Sequence, residues 1–305
     1  STATSNNSDC FVAKYDENSN LIWLKLITGS GNAIGSFDAN SVSFDSSGNI
    51  LVTGGFVDSL DFDPGAAQNF LSSYQGTSDL FALKLNAFGD FIWVKHFKSS
   101  GTVTSFESQT NSTDELIISG FFTDTIDTDP GLGIAEFVSA GNNDAFIIKI
   151  DDSGSLVWSN HLEGTGNIVI EGLDINESDQ IGISGHYLGV VDLDPGIGVI
   201  NGAQTSGGYF SLYDTNGDIV WNNFLNATGS VSVWAIQFDE LSNIFVSGGF
   251  MDSLNVDPAL SNEYLVSSEA AFISSYDQAG NFQWAHYFGE NIGGIGYEMT
   301  STGAY

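Results

Sequence analysis

The feature of this chain that most constrains its fold is an internal repeat. Five tryptophans fall at intervals of 70, 65, 63 and 63 residues, and an aromatic residue stands twelve positions before each of them. The pairs are Phe11 with Trp23, Phe81 with Trp93, Phe146 with Trp158, Tyr209 with Trp221, and Phe272 with Trp284. A fixed period of this kind indicates stacked copies of one supersecondary unit.

Each repeat contains two hairpin patterns. In the first, a strand pattern ends at Asp151-Asp-Ser-Gly-Ser155 and resumes at Leu156. In the second, Asp45-Ser-Ser-Gly-Asn49 separates residues 42–44 from residues 50–56. Asp at the start of such a turn bonds its own backbone, and Gly supplies the left-handed residue near the end. Four short strands bounded by turn signals, with no helical periodicity, predict an all-β chain.

Tandem four-stranded units that bury their faces against one another are the blades of a β-propeller. The sequence therefore predicts an all-β β-propeller with four-stranded blades of about 65 residues. The units run over residues 9–78, 79–143, 144–206, 207–269 and, as a partial unit, 270–305. A propeller must close to protect its strand edges. Either five blades close with the last one incomplete, or more blades lie beyond this chain; we favour the second and expect a piece of a larger protein.

The charge balance excludes several classes of partner. The chain has 38 acidic residues against six basic ones, a formal net charge of −32. Nucleic acids and anionic membrane surfaces are bound through Lys and Arg, so neither is an expected partner. No apolar run of about 18 residues is present, so we expect no direct insertion into a membrane. Cys10 is the only cysteine, so the hydrophobic core must stabilise the fold without an internal disulfide.

The repeat closes with an acidic stretch, which reads Ser59-Leu-Asp-Phe-Asp-Pro-Gly65 in its first copy. One interpretation is a calcium site, because calcium prefers oxygen ligands and residues two apart on an extended strand share a face. The other is structural: Asp side chains satisfy backbone N–H groups at the end of a strand, and Pro-Gly then turns the chain. The candidate calcium ligands are Asp61, Asp63, Asp127, Asp129, Asp192, Asp194, Asn255 and Asp257.

A second charged pattern predicts an ion pair. Asp9, Asp79 and Asp144 lie fourteen positions before their tryptophans, and Lys14, Lys84 and Lys149 lie nine positions before. The fourth and fifth repeats lose both members together, with Gly207 and Leu212 in one and Ala270 and Ser275 in the other. A charge and a counter-charge lost together predict an ion pair, within one blade or between blades, although chance is an alternative. His96 and His161 share one repeat position that Leu26, Phe224 and Tyr287 fill elsewhere, which indicates a packing site.

Together these features resemble the bacterial β-propeller repeat of secreted proteins, often described as a seven-bladed propeller repeat. The resemblance covers nearly the whole chain and rests on Asp144-Ala-Phe-Ile-Ile-Lys-Ile150, Gly154 to Trp158, Ser119-Gly-Phe121 and Asp127-Thr-Asp-Pro-Gly131. It implies an extracellular or outer-surface protein of a Gram-negative bacterium that uses type IX secretion. The family shares no single activity, so the resemblance transfers no catalytic residue.

The resemblance also implies a modification. Asp58-Ser-Leu60, Asp124-Thr-Ile126 and Asp252-Ser-Leu254 are similar to the O-glycan acceptor that the same bacteria use on exported proteins. The third blade has Gly189-Val-Val191 at this position. Glycans on Ser59, Thr125 and Ser253 are therefore expected. The alternative is that Ser and Thr merely suit a strand.

The expected function is binding or scaffolding without enzymatic activity, in a secreted or cell-surface module such as an adhesin. The expected partner is a protein or glycan at the cell surface, and Ca²⁺ is the candidate cofactor. The alternative is a carbohydrate-active enzyme, a hydrolase or lyase, on the central face of the propeller, because two well-placed carboxylates suffice for glycoside hydrolysis. An enzyme should show one blade with unrepeated polar residues, whereas a scaffold should show nearly equivalent blades. The uniform repeats favour the scaffold.

Overall fold

The computed structural model describes residues 10–29, 40–74, 77–202, 204–259 and 263–289. These residues form 23 strands and no α-helix, which confirms the predicted fold class. Nowhere in these ranges does a helix reach the length and hydropathy that crossing a membrane requires. The chain divides into two compact units. Unit 1 comprises Ser1–Val138 and Ile148–Ser159, and unit 2 comprises Ser139–Ile147 and Asn160–Tyr305.

Unit 1 holds the first twelve strands, and the next two strands have residues in both units. The strands of unit 1 are β1 (Cys10–Tyr15), β2 (Leu21–Gly29), β3 (Ser41–Phe44), β4 (Ile50–Phe56), β5 (Ser59–Asp61), β6 (Phe70–Ser72), β7 (Asp79–Leu85), β8 (Phe91–Phe97), β9 (Val103–Thr110), β10 (Leu116–Phe122), β11 (Thr125–Asp127) and β12 (Glu136–Val138). The divided strands are β13 (Asp144–Ile150) and β14 (Leu156–Gly164).

Unit 2 holds the remaining strands. They are β15 (Asn167–Ile175), β16 (Ile181–Leu188), β17 (Val191–Asp192), β18 (Ser206–Tyr213), β19 (Ile219–Ala227), β20 (Val231–Phe238), β21 (Ile244–Asn255), β22 (Tyr264–Tyr276) and β23 (Phe282–Phe288).

Three four-stranded sheets take their strands from two successive repeats, whereas the sheet β1-β2-β5-β6 lies within the first repeat. In unit 1 the order is β3-β4-β7-β8, where β3 and β4 are the second hairpin of one repeat and β7 and β8 are the first hairpin of the next. Unit 2 builds β15-β16-β18-β19 and β20-β21-β22-β23 in the same antiparallel way. The repeat boundaries read from the sequence therefore pass through the sheets.

The acidic stretch lies between the second and third strands of a sheet, in a segment that we name the closing hairpin. In unit 1 the closing hairpin β5–β6 pairs with β2, with Thr28 opposite Asp61 and Gly29 opposite Leu60. Gly29 is required there because a Cβ would overlap the backbone of Ser59 and Leu60. In unit 2 the end of β14 pairs with β17, and the end of β19 pairs with the end of β21. Each closing hairpin thus ties its sheet to the outer strand of the preceding hairpin.

Aromatic side chains fill the cores of both units. In unit 1 the ring of Phe62, beside the closing hairpin, packs against Phe56 and Phe81 of the sheet β3-β4-β7-β8, with centroids 5.3 and 4.8 Å away. In unit 2 Phe210 of one sheet packs on Tyr276 of the next, with centroids 4.5 Å apart. Aromatic rings bury large apolar areas and prefer such tilted contacts, which makes them the main stabilising groups of these cores.

The predicted turn chemistry is confirmed. Asp45 Oδ1 accepts hydrogen bonds from the backbone N–H groups of Ser47 and Asn49, at 3.0 and 2.8 Å. The same two bonds recur at Asp151, Asp214 and Asp277. The fourth residue of each of these turns has a positive φ, at Gly48, Gly154, Gly217 and Gly280.

Candidate functional site

The first acidic residue of each stretch caps its closing hairpin from inside. Asp61 Oδ1 accepts the backbone N–H of Asp63 at 3.2 Å and that of Asn69 at 2.8 Å. Asp61 thereby binds a residue eight positions further along the chain, on the other side of the hairpin. Asp127 Oδ1 and Asp192 Oδ1 make the same pair of bonds, and Asn255 keeps the short-range one. These bonds are what the structural interpretation predicts for Asp at the end of a strand.

The second acidic residue forms a turn at the hairpin tip. Asp63 Oδ1 accepts the N–H of Gly65 at 2.7 Å, and Asp129, Asp194 and Asp257 do the same two residues on, at 2.8 to 3.2 Å. In two hairpins the other oxygen of this carboxylate fills the space beside a glycine. A Cβ at Gly133 or Gly198 would collide with Oδ2 of Asp129 or Asp194.

Calcium binding at the eight candidate residues stays a prediction. Within residues that the structure describes, no three side chains of His, Cys, Asp or Glu form a group that could hold a metal ion. Calcium takes six to eight oxygen ligands, and the Oδ1 atom of each candidate accepts at least one backbone N–H group. The geometry accounts for all eight residues as hairpin caps.

The residue before each candidate glycosylation site has a left-handed backbone. Asp58, Asp124 and Asp252 have φ values of 68°, 58° and 66°, and Gly189 takes the same position in the third copy with φ 99°. Asp and Gly are among the residues that tolerate this conformation best, which explains their exchange. Ser59, Thr125 and Ser253 follow and are half-buried, and the aliphatic residue after each is buried. Glycosylation of these hydroxyls stays a prediction.

The predicted Asp–Lys ion pair is wrong at both positions that can be compared in the structure. Lys84 is buried and binds Asp45 Oδ2 at 2.7 Å together with Asp152, and Lys149 binds Glu115 at 2.5 Å. These partners lie in neighbouring turns and not at the position fourteen residues before tryptophan. Asp9 lies outside the described residues. The prediction failed because each lysine pairs with a carboxylate at a different repeat position, in the second hairpin of the preceding repeat.

The buried Asp instead binds histidine. Asp79 has no exposed side-chain surface, and its Oδ2 lies 2.5 Å from Nε2 of His96; Asp144 and His161 form the same pair at 2.8 Å. Asp79 Oδ1 also accepts the N–H of Ser99 at 2.9 Å. A buried carboxylate needs such partners because it has lost its water. His96 also contacts the ring of Phe56, at 5.3 Å, so this position has a packing role as well as a polar one.

Histidine and aspartate are lost together in the fourth and fifth repeats, whereas the first repeat keeps Asp9 and has Leu26 at the histidine position. Gly207 with Phe224 and Ala270 with Tyr287 replace the pair, and each of these aromatic rings packs where a histidine ring would lie. The correlated loss of Asp was visible in the sequence, but histidine, not lysine, is its partner.

Sequence reasoning missed a bulge in the first strand of three sheets. The extra residues are Phe106 in β9, Glu171 in β15 and Trp234 in β20. Each lies beside one position of the second strand: Phe106 contacts Phe121 at 5.6 Å, and Glu171 Oε1 lies 3.4 Å from Nδ1 of His186. Trp234 covers Gly249, where a Cβ would collide with the indole. Bulges re-aim side chains, so this position is where the otherwise uniform sheets differ most in chemistry.

One comparison with known proteins, to a WD repeat-containing protein, agrees with a propeller-like repeat fold. No protein-family model matches the chain. An alignment of 183 positions with an uncharacterized WD repeat-containing protein of Acanthamoeba polyphaga mimivirus shows 24% identity and covers 51% of this chain and 13% of that protein. The chain therefore spans about an eighth of that relative's length. A solved structure of a protein of unknown function from Bacteroides caccae aligns over 89% of this chain and 87% of its own, with 9% identity and a TM-score of 0.38. WD repeats are propeller blades of four strands, and the sheets described above have that composition.

Proposed function

We propose that the chain is a non-enzymatic binding and scaffold module of a secreted or cell-surface protein of a Gram-negative bacterium. The partner is a protein or glycan at the cell surface, bound through the tips of the closing hairpins. The observation that carries the proposal is the contrast between a constant hairpin frame and a variable, exposed tip.

The frame is rigid because the two acidic caps fix it from inside. The tips carry strongly exposed aliphatic side chains: Leu132 and Ile134 in one hairpin, Ile197 and Val199 in another. Leu132 and Ile197 have relative exposures of 107%, so they contact almost nothing in their own unit. The first hairpin has Ala66, Ala67 and Gln68 at the matching positions. Large apolar side chains exposed to solvent lower the solubility of a protein, and a binding role for the hairpin tips accounts for their presence.

Binding of the fluorescently labelled chain to intact Gram-negative cells and to a glycan array tests the proposal. A tip variant, Leu132→Ser with Ile134→Ser, should lose at least about tenfold in affinity, since each truncation removes a buried apolar contact. The matched control is Phe88→Ser, which removes a side chain that is 76% exposed on a strand-connecting turn. Failure of the wild-type chain to bind either target, or equal loss in the control, would contradict the proposal.

A second candidate function, carbohydrate-active chemistry, is favoured by one observation. Glu171 and His186 form a polar pair in one sheet, at the positions where two other sheets have Phe106 with Phe121 and Trp234 with Gly249. An unrepeated polar pair is what the enzyme alternative requires. Release of reducing sugar from a polysaccharide panel, lost on Glu171→Gln, would support it. No release by the wild-type chain would leave binding as the function.

Calcium and glycans are further proposals for the same hairpins. If calcium binds at Asp61 and Asp63 or their repeats, millimolar Ca²⁺ should raise the melting temperature, and Asp61→Asn should reduce the rise. Magnesium at equal ionic strength is the control for screening of the −32 charge. Intact mass of the protein isolated from its native source decides whether Ser59, Thr125 and Ser253 carry sugar.

A further inference from the structure

A lysine, a carboxylate and an asparagine meet at one position of unit 1. Lys149 Nζ lies 2.5 Å from Glu115 Oε2, and Asn111 Nδ2 donates to the same oxygen at 2.7 Å. The Lys149 side chain is 7% exposed, and its neighbours Ile148 and Ile150 in β13 are fully buried. One carboxylate oxygen therefore holds an amine and a carboxamide within hydrogen-bond distance, at a place where the amine has little contact with water.

The carbonyl of this carboxamide is polarised by the turn in which it lies. Asn111 Oδ1 accepts the backbone N–H of Thr113 at 3.1 Å and that of Glu115 at 2.9 Å. Donors that point at a carbonyl oxygen stabilise the negative charge that develops there when a nucleophile attacks the carbon. Asn111 is therefore an activated electrophile next to an amine.

The first copy of this turn has the same three groups in a different arrangement. Asp45 Oδ2 binds Lys84 and accepts Asn49 Nδ2, both at 2.7 Å. Here the side chain that accepts the N–H bonds of the turn is a carboxylate, which resists attack by an amine, and not a carboxamide. Lys84 also stays protonated: burial alone would lower its pKa, but the hydrogen bonds that it donates to Asp152 and Asp45 outweigh burial and raise the pKa. The first copy is therefore an ion pair.

The third and fourth copies lack the lysine, because Leu212 and Ser275 take its position. Asn176 of the third copy accepts the same two N–H bonds as Asn111, but Gln180 stands in place of the carboxylate. Among the described copies of this turn, the second alone combines an amine, a carboxylate and a polarised carboxamide.

We propose that Lys149 and Asn111 form an intramolecular isopeptide bond, with Glu115 as the acid–base group. Glu115 first accepts a proton from the Lys149 ammonium, and the neutral amine attacks Cγ of Asn111. The bond from Cγ to Nδ2 then breaks as Glu115 gives its proton to Nδ2, which leaves as ammonia. The attacking nitrogen passes its second proton to Glu115, and the ammonia carries that proton away as ammonium. An ammonium group and a carboxamide thus become a secondary amide and an ammonium ion, with no oxidant, no cofactor and no net change in charge.

The bond ties the turn between β9 and β10 to strand β13. It closes the chain from residue 111 to residue 149, and such a cross-link stabilises a fold by restricting the unfolded chain, as a disulfide does. Cys10 is the only cysteine, so the isopeptide bond supplies a covalent constraint that this chain cannot obtain from an internal disulfide. The proposal is independent of the partner-binding role proposed above.

Mass spectrometry of the full chain, purified and kept for several days near neutral pH, tests the proposal. Wild type should be lighter than its sequence predicts by about 17 Da, the mass of one ammonia. A Glu-specific protease should then release one branched peptide that joins residues 108–115 to residues 137–163. Succinimide formation at another asparagine gives the same mass loss but no branched peptide, so the digest separates the two reactions.

Two variants test the assigned roles. Lys149→Arg keeps the positive charge beside Glu115 but removes the amine, so both the mass loss and the branched peptide should disappear. Glu115→Gln should keep its full sequence mass over the same period, because acid–base catalysis contributes about 100- to 10,000-fold in rate. Lys84→Arg, the matched control, should lose ammonia as wild type does. A wild-type chain whose two peptides stay separate would overturn the proposal, and so would a Glu115→Gln variant that loses ammonia as completely as wild type.

Discussion

Removing the buried cation Lys84 should destabilise unit 1 more than any surface substitution. Its side chain is 3% exposed and lies 2.7 Å from Asp45 Oδ2, which is 2% exposed. Lys84→Leu leaves the Asp45 carboxylate buried without its counter-charge, and breaking a buried pair in this way costs about 3–5 kcal/mol. Because Ser47 and Asn49 still donate to Asp45, we expect a loss near the lower end, about 3 kcal/mol. The contact with Asp152 adds little, since that carboxylate is 65% exposed.

The chain supplies a matched control for this change. At the corresponding positions the third and fourth repeats combine Asn176 with Leu212. The double variant Lys84→Leu with Asp45→Asn copies that natural combination and removes both charges. Its free energy of unfolding should lie within about 1 kcal/mol of the wild-type value.

Urea denaturation at pH 7, followed by tryptophan fluorescence, gives the free energies of unfolding for both variants. The chain has two compact units, so the transition that responds to the substitution should be fitted separately. A single variant within 1 kcal/mol of wild type, or a double variant as unstable as the single one, would refute the claim that the pair is buried and coupled.

Further predictions follow from the same contacts. Burial alone would raise the pKa of Asp45, but the hydrogen bonds that it accepts from Lys84 and Asn49 outweigh burial and hold its pKa below 3.8. Burial alone would lower the pKa of Lys84, but the hydrogen bonds that it donates to Asp152 and Asp45 raise its pKa above 10.5. The Lys84–Asp45 pair therefore contributes its full stabilisation of the folded state between about pH 4 and about pH 10. As the pH falls below 4, the difference in free energy of unfolding between wild type and Lys84→Leu should shrink, which a series of urea melts at different pH values would measure. Asp127→Ala should lower the free energy of unfolding by about 1–2 kcal/mol, because the N–H groups of Asp129 and Ala135 lose their acceptor. Asp127→Asn, which copies Asn255, should lower it by less than about 0.5 kcal/mol. Equal losses of stability in thermal melts of the two variants would rule out capping. Tyr213→Phe should lower the free energy of unfolding by about 1 kcal/mol, because it removes the hydroxyl that donates to the carbonyl of Leu193. Burial raises the pKa of Tyr213, so an absorbance titration of the folded protein should show no ionisation of this residue at pH 10. Ionisation at pH 10 would contradict its burial. Asp79→Gly should lower the free energy of unfolding by about 2–3 kcal/mol, because His96 and the N–H of Ser99 lose their buried acceptor. Adding His96→Phe, which copies Gly207 with Phe224, should restore part of that stability. Urea melts that show no recovery would refute the coupling between Asp79 and His96.

Much of the architecture was predictable because it is local and repeated. The turn that begins at Asp45 and has Gly48 in the left-handed region follows from five residues of sequence, and the spacing of Trp93 and Trp158 fixes the repeat. The sheet boundaries were not predictable in this way. Pairing of β4 with β7 joins residues on either side of the closing hairpin, and nothing in the periodicity distinguishes that pairing from one within the repeat.

The side-chain partners were harder to predict than the strands. Asp79 and Lys84 are lost in the same repeats, and their correlation suggested a direct pair. Each in fact binds a residue from another element, His96 or Asp45. The bulge residues Glu171 and Trp234 left no pattern, because a bulge shows itself only when both strands are aligned.

A crystal structure of the chain would test the central claim, that the sheets β3-β4-β7-β8, β15-β16-β18-β19 and β20-β21-β22-β23 each join two successive repeats, with a capped closing hairpin between the second and third strands. The account predicts the strand order β3-β4-β7-β8, with Asp61 Oδ1 accepting the N–H of Asn69 at about 2.8 Å. A sheet in which β2 pairs with β3, so that repeats and sheets coincide, would contradict it. So would an Asp61 side chain that points away from its hairpin.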